Sequence, residues 1–491
     1  RGRIEFDGHR FVARDAVAVV GENEAHGSFE QDLVSREFRF LLDGRLRPLA
    51  IGGWFREWWP GFFNNFEFPL APPNASVDVR GRWGVGHETT VFVFAESMSP
   101  LVRGAQLDYA RTLIFIRPNF LDGLEVFGTR GAGEVRGAFT RHIELPGYRW
   151  REMNIALTST LDLQTGAKLL GPELGARLQP FVFESPPRVS VAARFDGPGS
   201  AAGPRQNMRI EAQSTGAFSF HDFPARNLAF DAVLRDDELT LERVEASVAD
   251  GTLSGNAKLW GPEGGRRLGF DASLRGASLG LAVTTVSQYA ARRRGSESAG
   301  AEKILPGKNN VRLDLALSAE GGFDDPFSYR GNGNAALEGA GLGEVRLLGL
   351  LSALLDFTAL RFTSARAEFK VEGPTIVFPS VNVTGANAAI HAHGDYSLRE
   401  RQLSFNARIY PFEESNSLLQ SVVGAVLTPL STVLEVKLTG ALDDPKWAFV
   451  IGPTNLLRSL TQPAAAGNAA VPGAGSAPSP PPTSAAGEKT H

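Results

Sequence analysis

Residues Ala365 to Gly373 read ARAEFKVEG. Apolar side chains hold every odd position through 371 (Ala365, Ala367, Phe369, Val371), and charged ones hold every even position (Arg366, Glu368, Lys370, Glu372). Strict alternation predicts a β-strand with one dry face and one wet face. The pattern recurs in SVDVRGRW (Ser76–Trp83), TVFVFAES (Thr90–Ser97), RVSVAARFDG (Arg188–Gly197), MRIEAQSTG (Met208–Gly216), NVRLDLALSAEGG (Asn310–Gly322) and VLEVKLTG (Val433–Gly440). Carried into neighbouring strands, it predicts an apolar interior of Phe369, Val371, Val381, Val383, Ile390, Phe405, Ala407, Leu434, Val436 and Leu438.

Three longer segments share one layout: His9–Gly44, Glu238–Gly276 and Thr375–Pro411. Each has a strand, a Gly-marked turn, a second strand with Gly near its middle, a looser turn and a third strand. The glycine pairs are Gly21 and Gly27, Gly251 and Gly255, and Gly385 and Gly394. This is a β-meander used repeatedly, with glycine at turns and bends. The copies are unevenly spaced, which excludes a short-period solenoid.

Two substantial apolar helices are expected. The first spans Leu342 to Phe357, with Leu348, Leu351, Leu354 and Leu355 at helical spacing. The second spans Ser417 to Thr428, includes Val422 and Val423, and stops at Pro429. A short third helix is expected from Thr454. The chain divides into a meander region (1–290), a polar linker (291–310), a C-terminal module (311–461) and a tail (462–491). The tail is mostly Ala, Pro, Gly and Ser, a composition that favours disorder.

Composition excludes several function classes. The 491 residues include 54 glycines and 30 prolines, above the usual ~12% for the two together, as a turn-rich all-β chain requires. Lys and Arg number 50 and Asp and Glu 54, so no basic surplus points to nucleic acid. Cysteine is absent, which removes disulfides, thiolate zinc sites and thiol nucleophiles. No apolar run reaches the ~18 residues of a membrane-spanning helix.

The dry faces need a cover. Burying one Val, Leu, Ile or Phe is worth about 1.5–3 kcal/mol, so dozens cannot stay in water. A second sheet, helices or a bound apolar ligand would each serve, and periodicity alone does not choose among them.

Residues 331–453 resemble the C-terminal module of AsmA/TamB-like proteins of Gram-negative cell envelopes. GNGNAALEGAGLGEVRLLGLLSALL is similar to that family's Gly-rich strand leading into a Leu-rich helix. LRFTSARAEFKVEGPTIVFPSVNVTGANAAIHAHGDYSLRERQLSFNARIYP is similar to its meander. VLEVKLTGALDDPKWAF is similar to its closing strand, with the G-x-L-x-x-P signature at Gly440, Leu442 and Pro445. The first 300 residues match only in style. The resemblance implies an elongated antiparallel sheet curled into an apolar groove that holds phospholipid or another acyl lipid. It also implies a periplasmic, cell-envelope location with an inner-membrane anchor upstream of residue 1, and a part in outer-membrane biogenesis. On this reading the interior residues named above line the groove, and the helices around Leu348–Leu355 and Val422–Val423 close one end of it. The family's anchor helix does not lie within these residues.

Other constellations have plainer readings. GWFREWWPGFFNNFEFP (Gly53–Pro69), with Trp54, Trp58 and Trp59, would suit a membrane interface or a groove mouth, but core packing is the commoner use of such aromatics. His391 and His393 share a strand face without a third metal ligand nearby in sequence. Asp324–Pro326 and Asp443–Pro445 are turn chemistry more than paired catalytic carboxylates. Arg292–Arg294 would meet anionic headgroups or solvent. No G-x-S-x-G, Walker or H-E-x-x-H motif occurs, so neither an enzyme nor a cofactor is expected. The expected function is lipid binding or conduction. The alternatives are a structural or assembly factor without lipid and, more distantly, a β-rich carbohydrate-active enzyme.

Overall fold

A computed structural model describes the chain except residue 1 and residues 51–62, 145–148, 172–174, 177, 202, 263, 294–309, 346–347, 349–361, 387, 412–433, 443, 451–457 and 460–491. The protein is mainly β. Among the described residues, 27 strands form one sheet and Phe66–Glu67, Leu101–Val102 and Ala105–Gln106 form a second, small one. Each pairing is antiparallel, and most strands pair with their neighbours in sequence. Arg3–Asp7 pairs only with Arg10–Val20, and Arg458–Ser459 pairs only with Asp444–Phe449. The two end strands do not meet, so the sheet is open. The strand predicted from ARAEFKVEG is present as Phe362–Glu372, and the alternating segments around it are strands too.

A regular internal repeat underlies the meander. Arg10–Val20, Phe120–Arg130, Glu238–Val248 and Thr375–Gly385 are each 11 residues long. Each has one extra residue against its next neighbour, and the register shift falls at the same place: between Ala13 and Ala16, Gly123 and Val126, Leu241 and Val244, and Phe378 and Val381. The partner strand carries glycine beside the shift, at Gly27, Gly137, Gly255 and Gly394. An added Cβ there would run into the carbonyl of Leu41, Ala156, Asp271 or Ser404. The starts at 10, 120, 238 and 375 define four units of ~120 residues. The sequence shows three of these units as similar segments. The fourth, from Phe120, regularises their spacing.

The two rims of the sheet differ. Strands alternate in direction, so connections alternate between rims. One rim has connections such as 8–9, 83–84, 118–119, 236–237 and 373–374, and its longest is 197–204. The long connections 46–73, 160–187, 279–311, 339–361 and 412–433 all leave from the other rim.

Two helices on the long-connection rim depart from the sequence expectation. Helix α1 (Leu163–Leu170) is capped by Asp162, whose carboxylate accepts from the Thr165 backbone N–H at 2.9 Å and from the Thr165 hydroxyl at 2.6 Å. Helix α2 (Leu279–Arg293) runs into the segment expected to be a linker from residue 291, and Tyr289 packs edge-on against Phe223. Val283, Thr284, Thr285 and Val286 hide its helical period, because β-branched residues favour strands. The helix expected from Leu342 begins as a 3₁₀ turn, Ala340–Glu344, followed by extended Val345. Arg458–Ser459 is a strand where a short helix was expected, because its backbone completes the sheet edge beside Ala448 and Phe449. The helix over 417–428 and the 462–491 tail lie outside the described residues.

Candidate functional site

Directly opposed residues of antiparallel strands share a face, so register turns each strand's alternation into rows across the sheet. One row runs Phe29, Phe40, Val79, Val91, Ile116, Leu121, Arg141, Met153, Phe195. Another runs Leu157, Val191, Ile210, Ala232, Leu241, Ala257, Phe270, Ala319, Gly331, Val371, Ile376, Tyr396, Leu403. A third runs Leu315, Ala335, Ala367, Val381, Ala392, Ala407, Val436, Phe449. A single apolar face therefore continues from the first unit to the last.

The cover of this face changes along its length. In the last unit the chain closes over it. Val383, Ile390, Ala407, Ile409 and Val436 cluster with Val311, Leu342 and Phe362, and Val345 and Leu348 pack against them. Ile390 is 2% exposed. Phe369 and Leu438 are buried as well, while Val371, Val381, Phe405 and Leu434 are half-buried. The structure thus places every residue of the predicted interior on one face, and Leu348 against it. Leu351, Leu354, Leu355, Val422 and Val423 lie outside the described residues. In the first two units most residues of this face, including Phe40, Val93, Ile114, Ile155 and Ile210, are only half-buried. Ile4 and Phe6, at the first edge, are 67% and 62% exposed.

The opposite face carries cross-strand ion pairs: Arg39–Asp78, Arg194–Glu152, Arg267–Glu320 and Arg408–Glu435. Burial pushes the Asp78 carboxyl up, but hydrogen bonds from Arg39 and Arg80, with their charges, outweigh it and hold the pKa at about 2. A depressed folded-state pKa contributes stability above the unfolded value of 3.8, and this is lost as pH falls toward 2. The urea midpoint of the wild type should therefore drop more steeply between these pH values than that of Asp78→Asn. Parallel pH profiles would remove Asp78 as the cause. Leu41, Phe92 and Phe94 interrupt this charged face.

The remaining candidate residues are dispersed. His391 and His393 are exposed on the charged face, and His391 stands beside the Tyr410 ring at 5.1 Å. Asp325 accepts from the Phe327 backbone N–H at 3.0 Å, an ordinary turn contact. Phe66 joins the small sheet on the long-connection rim, while Trp54, Trp58 and Trp59 lie outside the described residues. Among the described residues, no group of three His, Cys, Asp or Glu could hold a metal ion, and no helix is long and apolar enough to cross a membrane. No family model, curated protein or solved structure matches the chain. The functional reading therefore rests on the apolar face.

Proposed function

We propose that this chain is an AsmA-like cell-envelope protein that binds acyl chains along its apolar sheet face and conducts phospholipid or another acyl lipid between inner and outer membranes. In this reading the sheet is elongated and curls so that the apolar rows form the floor of a groove. The observation that carries it is the row continuity: aligned Val, Ile, Leu and Phe side chains cross four units, yet no second sheet of comparable size faces them among the described residues. A fully side-chain-filled interior would bury these residues as deeply as Ile390. Half-burial over the first two units instead leaves room for an apolar ligand. The rims support the same reading, because a cover supplied by long connections comes from one side only. The resemblance of residues 331–453 to AsmA/TamB-like modules is what points this reading to the cell envelope.

Native mass spectrometry of the purified chain should show co-purifying phospholipid or another acyl lipid. Delipidated protein should take up a fluorescent acyl probe. A chain that carries no lipid and ignores the probe at saturating concentration would overturn the reading in favour of a structural factor.

A further inference from the structure

The row that begins at Phe29 contains one charged residue, Arg141. Register sets it between Leu121 and Met153, on the same face as Phe139 and Ile155. It lies near the end of the strand Gly133–Glu144, at the short-connection rim. Its guanidinium stands over the Trp150 ring, 5.8 Å from the centroid. Its Nε is buried without a hydrogen-bond partner among the described residues. Burial pulls its pKa down, and among the described residues no neighbouring carboxylate acts against this. The equivalent position, ninth in the second strand, is Gln31, Leu259 or Tyr396 in the other units. The charge is thus particular to the second unit.

A half-buried cation with an unmet donor on an apolar face fits one kind of occupant, a molecule with an anion at the end of an apolar chain. We propose that Arg141 is a headgroup site that holds the phosphate or carboxylate of an anionic amphiphile, whose acyl chain runs over Phe139, Ile155 and the adjoining rows. The proposal rests on the acyl-binding reading above. Trp150 lies within cation–π range of the guanidinium, whose planar fork suits a two-pronged contact with a phosphate or carboxylate. The position at the short-connection rim keeps the headgroup near water while the tail follows the apolar rows. A neutral headgroup can accept a hydrogen bond but brings no charge to offset the cation, so the site discriminates by charge.

The test compares the full chain with Arg141→Met, which keeps the apolar reach and removes the charge, and with Arg141→Gln as a second variant. Three probes share an oleoyl chain: oleate, oleoyl-lysophosphatidic acid and mono-oleoylglycerol. Removing the charge should weaken binding of an anionic probe about tenfold or more, the scale of one charge-assisted hydrogen bond. Mono-oleoylglycerol should bind both proteins equally. The larger loss, with oleate or with lysophosphatidic acid, identifies the carboxylate or the phosphate as the group held. Equal affinities of wild type and variants for all three probes would overturn the headgroup site and leave acyl binding standing. No binding of any probe to the wild type would overturn both. The melting temperature of Arg141→Met should hold or rise, because the substitution replaces a half-buried charge with an apolar side chain of similar reach.

Discussion

Ile390→Asp is expected to unfold the last unit. Ile390 is 2% exposed, opposite Val383 and Ile409, and belongs to the cluster closed by Leu342 and Val311. An aspartate there has no cation within the cluster, so it must either desolvate a carboxylate or open the packing. The expected cost is ~4 kcal/mol or more, the range reached by unpaired buried charges. Ile210→Asp makes the same chemical change at a half-buried row position, opposite Val191 and Ala232. Its carboxylate can stay hydrated, so folding should lose only ~1 kcal/mol while acyl-probe binding falls. Urea titrations followed by circular dichroism separate the two. Equal losses would show that the first units are packed as tightly as the last, and the groove would lose its open length.

This contrast was only partly legible in the sequence. Alternation at Ala365–Val371 gave strand and face together, because each polar position there is charged. TVFVFAES is apolar on both sides, and register alone shows that Val91 and Val93 join the apolar rows while Phe92 and Phe94 point to the charged face. The unit beginning at Phe120 is less legible because Phe120 falls on the charged face and Gly123 on the apolar face, blurring the alternation just before the bulge. Arg141 did leave a signal. In EVRGAFTRHIE, Val135, Gly137 and Phe139 set the inward phase, and arginine occupies its next place. Closure over the last unit was less legible. It depends on where Leu342, Val345 and Leu348 come to rest in three dimensions, which sequence spacing does not fix. Function was carried by a resemblance confined to the final third, whereas the rows that support it cross the whole sheet.

Gly255→Val is expected to cost several kcal/mol, and the reason is the repeat itself. Beside each bulge the sheet draws the second and third strands of a unit so close that a side chain at the glycine has no volume to occupy. At Gly255 a Cβ would overlap the Asp271 carbonyl, and at Gly137 it would stand 2.6 Å from the Ala156 carbonyl. Backbone atoms of a paired strand cannot rotate away, so the strands must part and lose ladder hydrogen bonds. Alanine at either position should cost about 1–3 kcal/mol, the scale of overpacking, and valine more. Gly166 provides the control. It lies inside α1 with open space around its Cβ position, so Gly166→Ala should stabilise by about 0.5–1 kcal/mol through helix propensity alone. Thermal melts of these variants decide the matter. Loss at Gly137 and Gly255 with gain at Gly166 supports a register built on repeated close approaches. Neutral substitutions at the two bulge glycines would mean that the strands tolerate separation there, and the four-unit repeat would lose the contact that sets its geometry.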